Sequence, residues 1–205
     1  MSRNEPVWLR QFWMSEDPMN SQSTTVMDQV LDLYASGCRD FSHLDCREAW
    51  MPGIELPSVN LSLANFGSAN LHQSVLKDSN LNGCNLWRAN LRRANLEGAS
   101  LVRTVLIRAE LSRANLAGVD LRSSDLRLAT LRQSSLREAD LRNANLSYAD
   151  LRGVDLTGAD LRGADLTGAN LRRASLAIAQ LEGARLDRAW LDQAAPPHSE
   201  LSPTC

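Results

Sequence analysis

A repeat of five residues runs without interruption from residue 41 to residue 195. Every fifth residue, here called the centre, is large and apolar or, once, a cysteine, and from Leu71 onward it is always leucine. The residue two before each centre is small or modest in size, most often alanine, and the residue between them is usually Asn or Asp, as in Ala89-Asn90-Leu91. The two residues after the centre are mostly polar, charged or glycine. We predict that the centre and the small residue point inward in every repeat.

A period of five matches neither regular secondary structure. An α-helix repeats every 3.6 residues and a β-strand every two, so leucine at every fifth position would be scattered around a helix and would alternate across a strand. The leucines share one interior if the chain turns a corner every five residues. Four such sides close a square coil of about 20 residues, and successive coils stack about 4.8 Å apart. The repeat therefore predicts an all-β solenoid of about eight coils.

The repeats resemble those of the pentapeptide-repeat proteins. The resemblance is carried by sequences such as Ala-Asp-Leu-Arg-Gly at 149–153 and Ala-Asp-Leu-Thr-Gly at 164–168, and it covers most of the chain. It implies that the solenoid is a right-handed quadrilateral β-helix. It also implies a role as an interaction scaffold, a regulator or a protector of gyrase, in a family without a shared active site.

The stretch before the coils is similar to that of small pentapeptide-repeat proteins common in cyanobacteria. In those proteins a helix ends near a Tyr-Ala-x-Gly-x-x-Asp-Phe motif, which corresponds here to residues 34–41, and then leads into the coils. Some of them regulate cell differentiation by binding regulatory proteins. The resemblance therefore implies that the partner of this chain is a protein.

The sequence divides into an N-terminal arm (1–23), a capping helix (24–40), the coils (41–195) and a C-terminal tail (196–205). Apolar residues at helical spacing, with Thr24 or Thr25 as N-cap, predict the helix. We expect it to cover the open end of the first coil, as an N-terminal α-helical cap. The aromatic-rich arm either folds back over the coils or binds a partner. The tail has no periodicity and is expected to be mobile.

Composition narrows the classes of function. The net charge of −2 argues against a generic nucleic-acid or membrane binder, and no stretch approaches the apolar length of a membrane span. The first residues lack the apolar core of a signal peptide, so we expect a cytoplasmic protein. The cysteines and histidines do not have the spacing of a zinc site, and no nucleophile, base and orienting group stand together. We expect no catalytic residues, no metal or other cofactor and no small-molecule substrate.

Residues 20 apart in the chain fall in one column on the same side of the rod. On the first and third sides, counted from Phe41, the outward columns are rich in arginine and are accompanied by acidic rows such as Asp120, Asp140 and Asp160. We interpret both sides as a lattice of solvent-exposed ion pairs, each worth about 0 to 1 kcal/mol.

The second side differs, because several of its outward positions are apolar or aromatic although the packing of the coils does not require it. Trp, Tyr and Arg are enriched at the hot spots of protein interfaces, so we predict that a protein partner binds here. The predicted partner-binding residues, of which Val102 and Arg103 lie around the corner, are Trp87, Arg88, Val102, Arg103, Val105, Ile107, Arg108, Arg127, Leu128 and Tyr148. Three alternatives stay open: the arm covers this side, a second copy binds it, or it is ordinary surface hydrophobicity. We expect a monomer or a weak homodimer.

Two other functions compete with this prediction. A protein that inhibits gyrase by mimicking DNA needs an acidic rod, whereas residues 41–195 hold 19 Lys and Arg against 17 Asp and Glu, and no helical pattern follows the last coil. Direct nucleic-acid binding would use residues 88–142, which hold 11 arginines against six acidic residues. The same excess of arginine favours a protein partner with an acidic rim. We therefore expect a non-catalytic protein-interaction scaffold or regulator.

Overall fold

The computed structural model describes residues 25–195, which form one α-helix, α1 (Val26–Ala35), and a solenoid of short β-bridges. Every bridge is parallel and joins residues 20 apart, from Asp40 with Asn60 to Ser175 with Ala195. Four repeats therefore make one coil, in agreement with the prediction. The predicted arm (1–23) and tail (196–205) lie outside the described residues.

Each coil has four sides, which we number in chain order. The first coil has its centres at Phe41, Cys46, Met51 and Leu56, and the same sides of later coils follow at intervals of 20 residues. Within a repeat we call the residue two before the centre the inner residue and the residue just before it the face residue. The two residues after the centre are the first and second corner residues. These names are used below for all repeats.

The centres and inner residues form the core of the rod. Leu136, a centre in the middle of the rod, is fully buried, and the inner residue Ala139 of the next repeat is 1% exposed. Face residues are mostly half-buried, whereas second corner residues are mostly exposed. The burial that the sequence predicts for centre and inner residues is confirmed in most repeats, but not in the last coil, which has no further coil on it among residues 25–195 and whose centre Leu191 is 41% exposed.

Backbone hydrogen bonds join each coil to the next. The amide of the centre Leu121 donates to the carbonyl oxygen of Asp140 at 2.8 Å, and the amide of Ser123 donates to that of Arg142 at 3.0 Å. In the opposite direction, the amide of Asp140 donates to the carbonyl oxygen of Val119 at 2.9 Å. Three of the five amides in a typical repeat are thus bonded to a neighbouring coil.

The other two amides are bonded within the same coil. The amide of Ser124 donates to the carbonyl oxygen of Leu121 at 3.1 Å and closes the corner. The amide of the first corner residue Arg122 donates to the side-chain Oδ1 of the face residue Asp120 at 3.1 Å. Asn and Asp prevail at the face position because a short side chain with an oxygen can accept this hydrogen bond.

The second corner residue adopts a left-handed backbone conformation in every repeat, with φ from 51° at Ile178 to 73° at Gly158. This conformation costs a residue other than glycine about 1–2 kcal/mol. Glycine is frequent at this position for that reason. The repeat pattern does not distinguish the two corner residues, but in the structure only the second one carries this constraint.

Helix α1 begins with a capping box. Thr25 is the N-cap, its side-chain oxygen accepts a hydrogen bond from the amide of Asp28 at 3.2 Å, and the Asp28 carboxylate accepts one from the amide of Thr25 at 3.0 Å. Val30 is 2% exposed and belongs to the hydrophobic core. The core side chains that surround the same internal space as Val30 include Leu44, Met51, Ile54, Leu56 and Phe66. Within residues 25–195 no helix has the length and apolar character to cross a membrane.

A few inner residues are serine or threonine, and most of their hydroxyls are hydrogen-bonded. On the fourth side, Ser134 donates to the carbonyl oxygen of Leu131 at 2.8 Å. Ser74 occupies the same position three coils earlier and is fully buried, but its hydroxyl has no hydrogen-bond partner. A buried polar group without a partner lowers the free energy of unfolding.

We expect Ser74→Ala to raise the free energy of unfolding by about 1 kcal/mol, because it removes the unpaired hydroxyl from a position where alanine is the commonest residue. Ser134→Ala, on the same side, should lower it by about 1 kcal/mol, because it removes a hydrogen bond. Urea unfolding of both variants beside the unmodified protein measures the two changes. Changes of the same sign would contradict the assigned hydrogen bonding.

Candidate partner-binding face

The apolar strip predicted from the sequence lies on the second side, over four neighbouring coils. Trp87, Leu128 and Tyr148 are 41%, 46% and 58% exposed, values high for large apolar side chains. Val105 and Ile107 lie on the coil between that of Trp87 and that of Leu128, and both are half-buried. We call these five residues the second-side strip.

The backbone fixes which residues of the strip are neighbours. Trp87 and Ile107 occupy the first corner position on adjacent coils, and the amide of Arg88 donates to the carbonyl oxygen of Ile107 at 3.0 Å. Leu128 and Tyr148 occupy the second corner position on the following two coils. The strip therefore runs diagonally, from the middle of the second side toward the edge that it shares with the third side.

Val105 stands at a face position, where most repeats have Asn or Asp. The amide of Trp87, one coil earlier, donates to the side-chain Oδ1 of the face residue Asn85 at 3.1 Å. Val105 has no side-chain acceptor, and no hydrogen bond joins the amide of Ile107 to any of the described residues. The strip thus gives up one stabilising hydrogen bond and leaves a backbone donor unpaired at its centre.

The ring of Tyr148 lies against Gly168 on the next coil. A Cβ atom at Gly168 would come within 2.6 Å of Cε1 of Tyr148, and the φ of Gly168 is 66°. Both the space and the backbone conformation favour glycine here. Gly168 therefore allows the aromatic ring to lie along the side of the rod.

The arginines predicted to flank the strip differ in their pairing. The guanidinium of Arg88 lies 5.1 Å from the centroid of the Trp87 ring, a cation–π contact. Arg127 forms a bidentate ion pair with the face residue Asp125 of its own repeat, with Nη2 to Oδ2 at 2.7 Å. Arg108 has no carboxylate partner among residues 25–195. Arg88 and Arg108 therefore supply the uncompensated positive charge beside the strip.

Two of the predicted residues lie on another side. Val102 and Arg103 are corner residues of the first side, where they line an open groove of about 560 Å³ together with Leu63. The amide of Val102 donates to Oδ1 of Asn82 at 2.8 Å. They adjoin the strip around an edge of the rod and do not extend its surface.

The first side carries the ion-pair lattice that the sequence predicts. Arg122 pairs with Asp120 and Arg162 pairs with Asp160, each with Nη2 to Oδ2 at 2.6 Å. The hydrogen bond from Arg162 is the largest cause that lowers the pKa of Asp160, and Arg122 has the same effect on the pKa of Asp120. These arginines are about half exposed, so each pair contributes at most about 1 kcal/mol.

Reactive chemistry is not prominent in the described part of the chain. Residues 25–195 contain no group of three or more His, Cys, Asp or Glu side chains placed to hold a metal ion. Burial raises the pKa of the Cys46 and Cys84 thiols to about 12. Both thiols are therefore protonated at neutral pH and are poor nucleophiles.

A family model described as pentapeptide repeats matches the chain in eight copies, over residues 40–78, 60–98, 69–106, 89–127, 124–163 and 155–193. The chain belongs to the pentapeptide-repeat family. The right-handed quadrilateral β-helix that the resemblance implies is the fold of this family. The four-sided coils described above agree with it.

Several solved pentapeptide-repeat proteins are similar to this chain. HetL from the cyanobacterium Nostoc sp. strain PCC 7120, which is involved in the regulation of heterocyst differentiation, is 32% identical over 81% of this chain and 92% of HetL, with a TM-score of 0.33. Rfr23 from the cyanobacterium Cyanothece 51142 is 24% identical over 81% of this chain and 95% of Rfr23, with a TM-score of 0.25. The plasmid-mediated fluoroquinolone resistance protein QnrB1 is 17% identical over 77% of this chain and 85% of QnrB1, with a TM-score of 0.35. No match was found among curated proteins.

Besides Trp190 and Leu191 of the last described coil, which are 53% and 41% exposed, three exposed apolar residues away from the strip were not predicted from the sequence. Trp50, Leu63 and Ile178 are 72%, 56% and 67% exposed and lie on the third, first and fourth sides. Leu63 and Ile178 are second corner residues, as Leu128 is. An apolar residue in the second-corner column of the first or fourth side would therefore have indicated their exposure. Because each lies on a different side, they do not form one patch.

The first-side ion pairs should make stability depend on pH. The pKa of Asp160 is lowered in the folded state, so its contribution is present above the unfolded pKa of about 3.9 and is lost as the pH falls through the folded value. Asp160→Asn should lower the melting temperature slightly at pH 6. The fold accommodates asparagine at this position, because Asn60 and Asn80 occupy the same column. The difference from the unmodified protein should shrink toward pH 3. A difference that stays constant in thermal melts from pH 6 to pH 3 would exclude this contribution.

Proposed function

We propose that the protein is a non-catalytic scaffold or regulator that binds a partner protein through the second-side strip. The observation that carries the proposal is the exposure of Trp87, Leu128 and Tyr148 on neighbouring coils, at positions that the packing of the solenoid leaves free. Large aromatic side chains with adjacent arginines are the residue types enriched at interface hot spots. The unpaired amide of Ile107 gives a partner a backbone donor at the centre of the same surface.

A regulatory role is supported by similarity. HetL, 32% identical to this chain, is a protein involved in the regulation of heterocyst differentiation. By analogy we propose that this chain acts on a regulatory protein in the cytoplasm, as a monomer or weak homodimer and without a cofactor. Under this proposal a second copy of the chain is a competing occupant of the strip.

The charge of the coils favours a protein partner over mimicry of DNA. Duplex DNA presents one negative charge about every 1.7 Å, so a mimic needs a strongly acidic surface. Residues 41–195 instead hold 19 Lys and Arg against 17 Asp and Glu. Binding to an enzyme that recognises DNA is therefore the weaker candidate.

We also propose that α1 acts as the N-terminal α-helical cap of the rod. An open solenoid end exposes core side chains to water and needs an atypical element to cover it. Burial of Val30 among first-coil side chains, including the large inner residues Leu44 and Ile54, supports this role. The large inner residues match a first coil that receives a helix.

Loss of the strip should abolish partner capture without unfolding the rod. In a pull-down from the native cell lysate, the triple variant Trp87→Ala/Ile107→Ser/Tyr148→Ala should lose the protein that the unmodified chain retains. Each hot-spot residue contributes about 2 kcal/mol or more to binding, so the combined effect should exceed a 100-fold loss of affinity for the purified partner. The melting temperature should change little, because these side chains lie outside the core.

The matched control is Trp50→Ala/Leu63→Ser/Ile178→Ser, which removes similar exposed apolar surface from the other three sides. It should retain the partner. Capture of the same proteins by both triple variants would exclude the strip as the binding site. Loss of capture in both would indicate a non-specific effect of surface hydrophobicity.

The cap predicts a separate effect on stability. Val30→Asp should lower the free energy of unfolding by about 3 kcal/mol or more, because it buries a charge without a partner. Ala35→Asp, at an exposed position of the same helix, should cost less than about 1 kcal/mol. Equal unfolding midpoints in urea for the two variants would exclude a capping role for α1.

A further inference from the structure

The third side has an excess of positive charge that distinguishes it from the first. From Asn90 to Gln193 its face and corner residues include seven arginines and three carboxylates. The first side of the same coils, from Asn80 to Gly183, has four of each. The seven arginines are Arg92, Arg93, Arg113, Arg132, Arg152, Arg172 and Arg173, and the three acidic residues are Glu110, Asp150 and Asp192. The arginine-rich columns predict a lattice of ion pairs on both sides, but the two sides differ in net charge.

Three first-corner arginines of the third side pair with only two carboxylates. Arg132 and Arg152 both pair with Asp150, each at 2.7 Å, so one negative charge serves two guanidinium groups. Arg172 pairs with Asp192 at 3.0 Å. Each of these arginines is 41% to 51% exposed and can turn toward a ligand.

The remaining four arginines of this side have no carboxylate partner among residues 25–195. Arg113 donates to Oε1 of Gln133 at 3.1 Å, and Arg173 donates to Oε1 of Gln193 at 3.0 Å. For Arg92 and Arg93 no ion pair or hydrogen bond of the side chain is found in this part of the chain. The four groups hold full positive charges at the surface.

Six of the seven arginines, all except Arg93, line one open groove of about 780 Å³. It extends over six consecutive coils, from Arg92 to Asp192, which corresponds to about 24 Å along the rod. Six arginines line it, with small or uncharged residues such as Ser112 and Gly153 between them. No large apolar or aromatic side chain contributes to its lining.

We propose that this third-side groove binds an extended acidic segment of a protein partner. An extended chain rises about 3.4 Å per residue, so about seven residues span the 24 Å, and alternate side chains place about four carboxylates toward the rod. Four negative charges match the excess of four positive charges on this side. Guanidinium groups bind carboxylates with bidentate geometry, which favours arginine over lysine at such a site.

A protein segment fits the groove better than a nucleic acid does. Duplex DNA carries about 14 phosphate charges over 24 Å, far more than this side can neutralise. The adjoining fourth side, from Asn95 to Ala195, has one arginine and three carboxylates, so a broad polyanion would meet repulsion there. Single-stranded nucleic acids bind largely by stacking on several aromatic side chains, whereas the groove lining has none and a single aromatic ring, that of Trp190, has its centroid 4.6 Å from the guanidinium of the lining residue Arg172.

Fluorescence anisotropy measures binding of a fluorescein-labelled peptide, Glu-Thr-Glu-Thr-Glu-Thr-Glu, to the full-length chain. The measurement is made at about 20 mM and about 200 mM salt, because screening by salt weakens charge-driven binding more than other contacts. The groove variant is Arg93→Gln/Arg113→Gln/Arg173→Gln, in which Arg113 and Arg173 line the groove and Arg93 precedes them in the same second-corner column. Glutamine already occupies the same second corner position at Gln73 and Gln133 with positive φ, so the fold accommodates it. The control variant, Arg122→Gln/Arg142→Gln/Arg162→Gln, removes the same charge from the first side.

We expect the peptide to bind the unmodified chain at low salt and to weaken at high salt. The groove variant should bind it about tenfold or more weakly, whereas the control variant should change its affinity less than about twofold. The peptide with Gln in place of Glu should not bind. This result is independent of the second-side strip, because the probe has no large apolar residue.

Three results would overturn the proposal. The first is no measurable binding of the acidic peptide at low salt. The second is an equal loss of affinity in the groove and control variants, which would reduce the effect to net charge. The third is tighter binding of a 20-base-pair DNA duplex than of the peptide with the same dependence on Arg93, Arg113 and Arg173, which would assign the groove to nucleic acid.

Discussion

The parallel hydrogen-bond ladder between coils is the interaction on which this structure depends. Each typical repeat has five amides, of which three are bonded to neighbouring coils, one closes the corner and one is bonded to the Asn or Asp at the face position. The face side chains add bonds of their own, as Nδ2 of Asn80 donates to Oδ1 of Asn60 at 3.1 Å. A repeat of five residues is therefore the unit in which every backbone donor has an assigned acceptor. The leucines fill the interior that this ladder encloses.

The ladder also determines where function can be encoded. It requires an apolar centre, a small inner residue, an acceptor at the face position and a left-handed second corner. The ladder does not restrict the type of the first corner residue or the side chain of the second corner residue. An occasional face residue can also vary, where the loss of its hydrogen bond is tolerated. The second-side strip uses these freedoms: Trp87 and Ile107 at first corners, Tyr148 at a second corner and Val105 at a face position. On the third side, arginine occupies the first and second corner positions that the ladder leaves unrestricted.

The sequence predicted the fold almost completely, because the same five positions of the repeat determine the period, the size of each side chain and which side chains point inward. It predicted less of the surface. Columns can be assigned by counting in steps of 20, which located Trp87, Leu128 and Tyr148 correctly on one side. Counting does not show which carboxylate an arginine reaches. Arg122 pairs with Asp120 of its own repeat at 2.6 Å and with Asp140 of the next coil at 3.5 Å, whereas Arg132 pairs with Asp150 of the next coil, which also pairs with Arg152. The charge excess of the third side follows from counting alone, but the sharing of Asp150 between Arg132 and Arg152 follows only from this geometry.

The two proposed surfaces share an edge of the rod. Leu128 and Tyr148 are second corner residues of the second side, and the chain continues from each directly into the third side, to Ala129 and Ala149. A partner that placed an apolar anchor on the strip could therefore extend an acidic segment into the arginine groove without any change in the shape of the rod. Linking two modest contacts in one partner raises affinity, because the second contact forms at a high effective concentration. A rigid rod suits this mode of binding, since the ladder fixes the distance between the surfaces and no ordering of the solenoid is required when the partner binds.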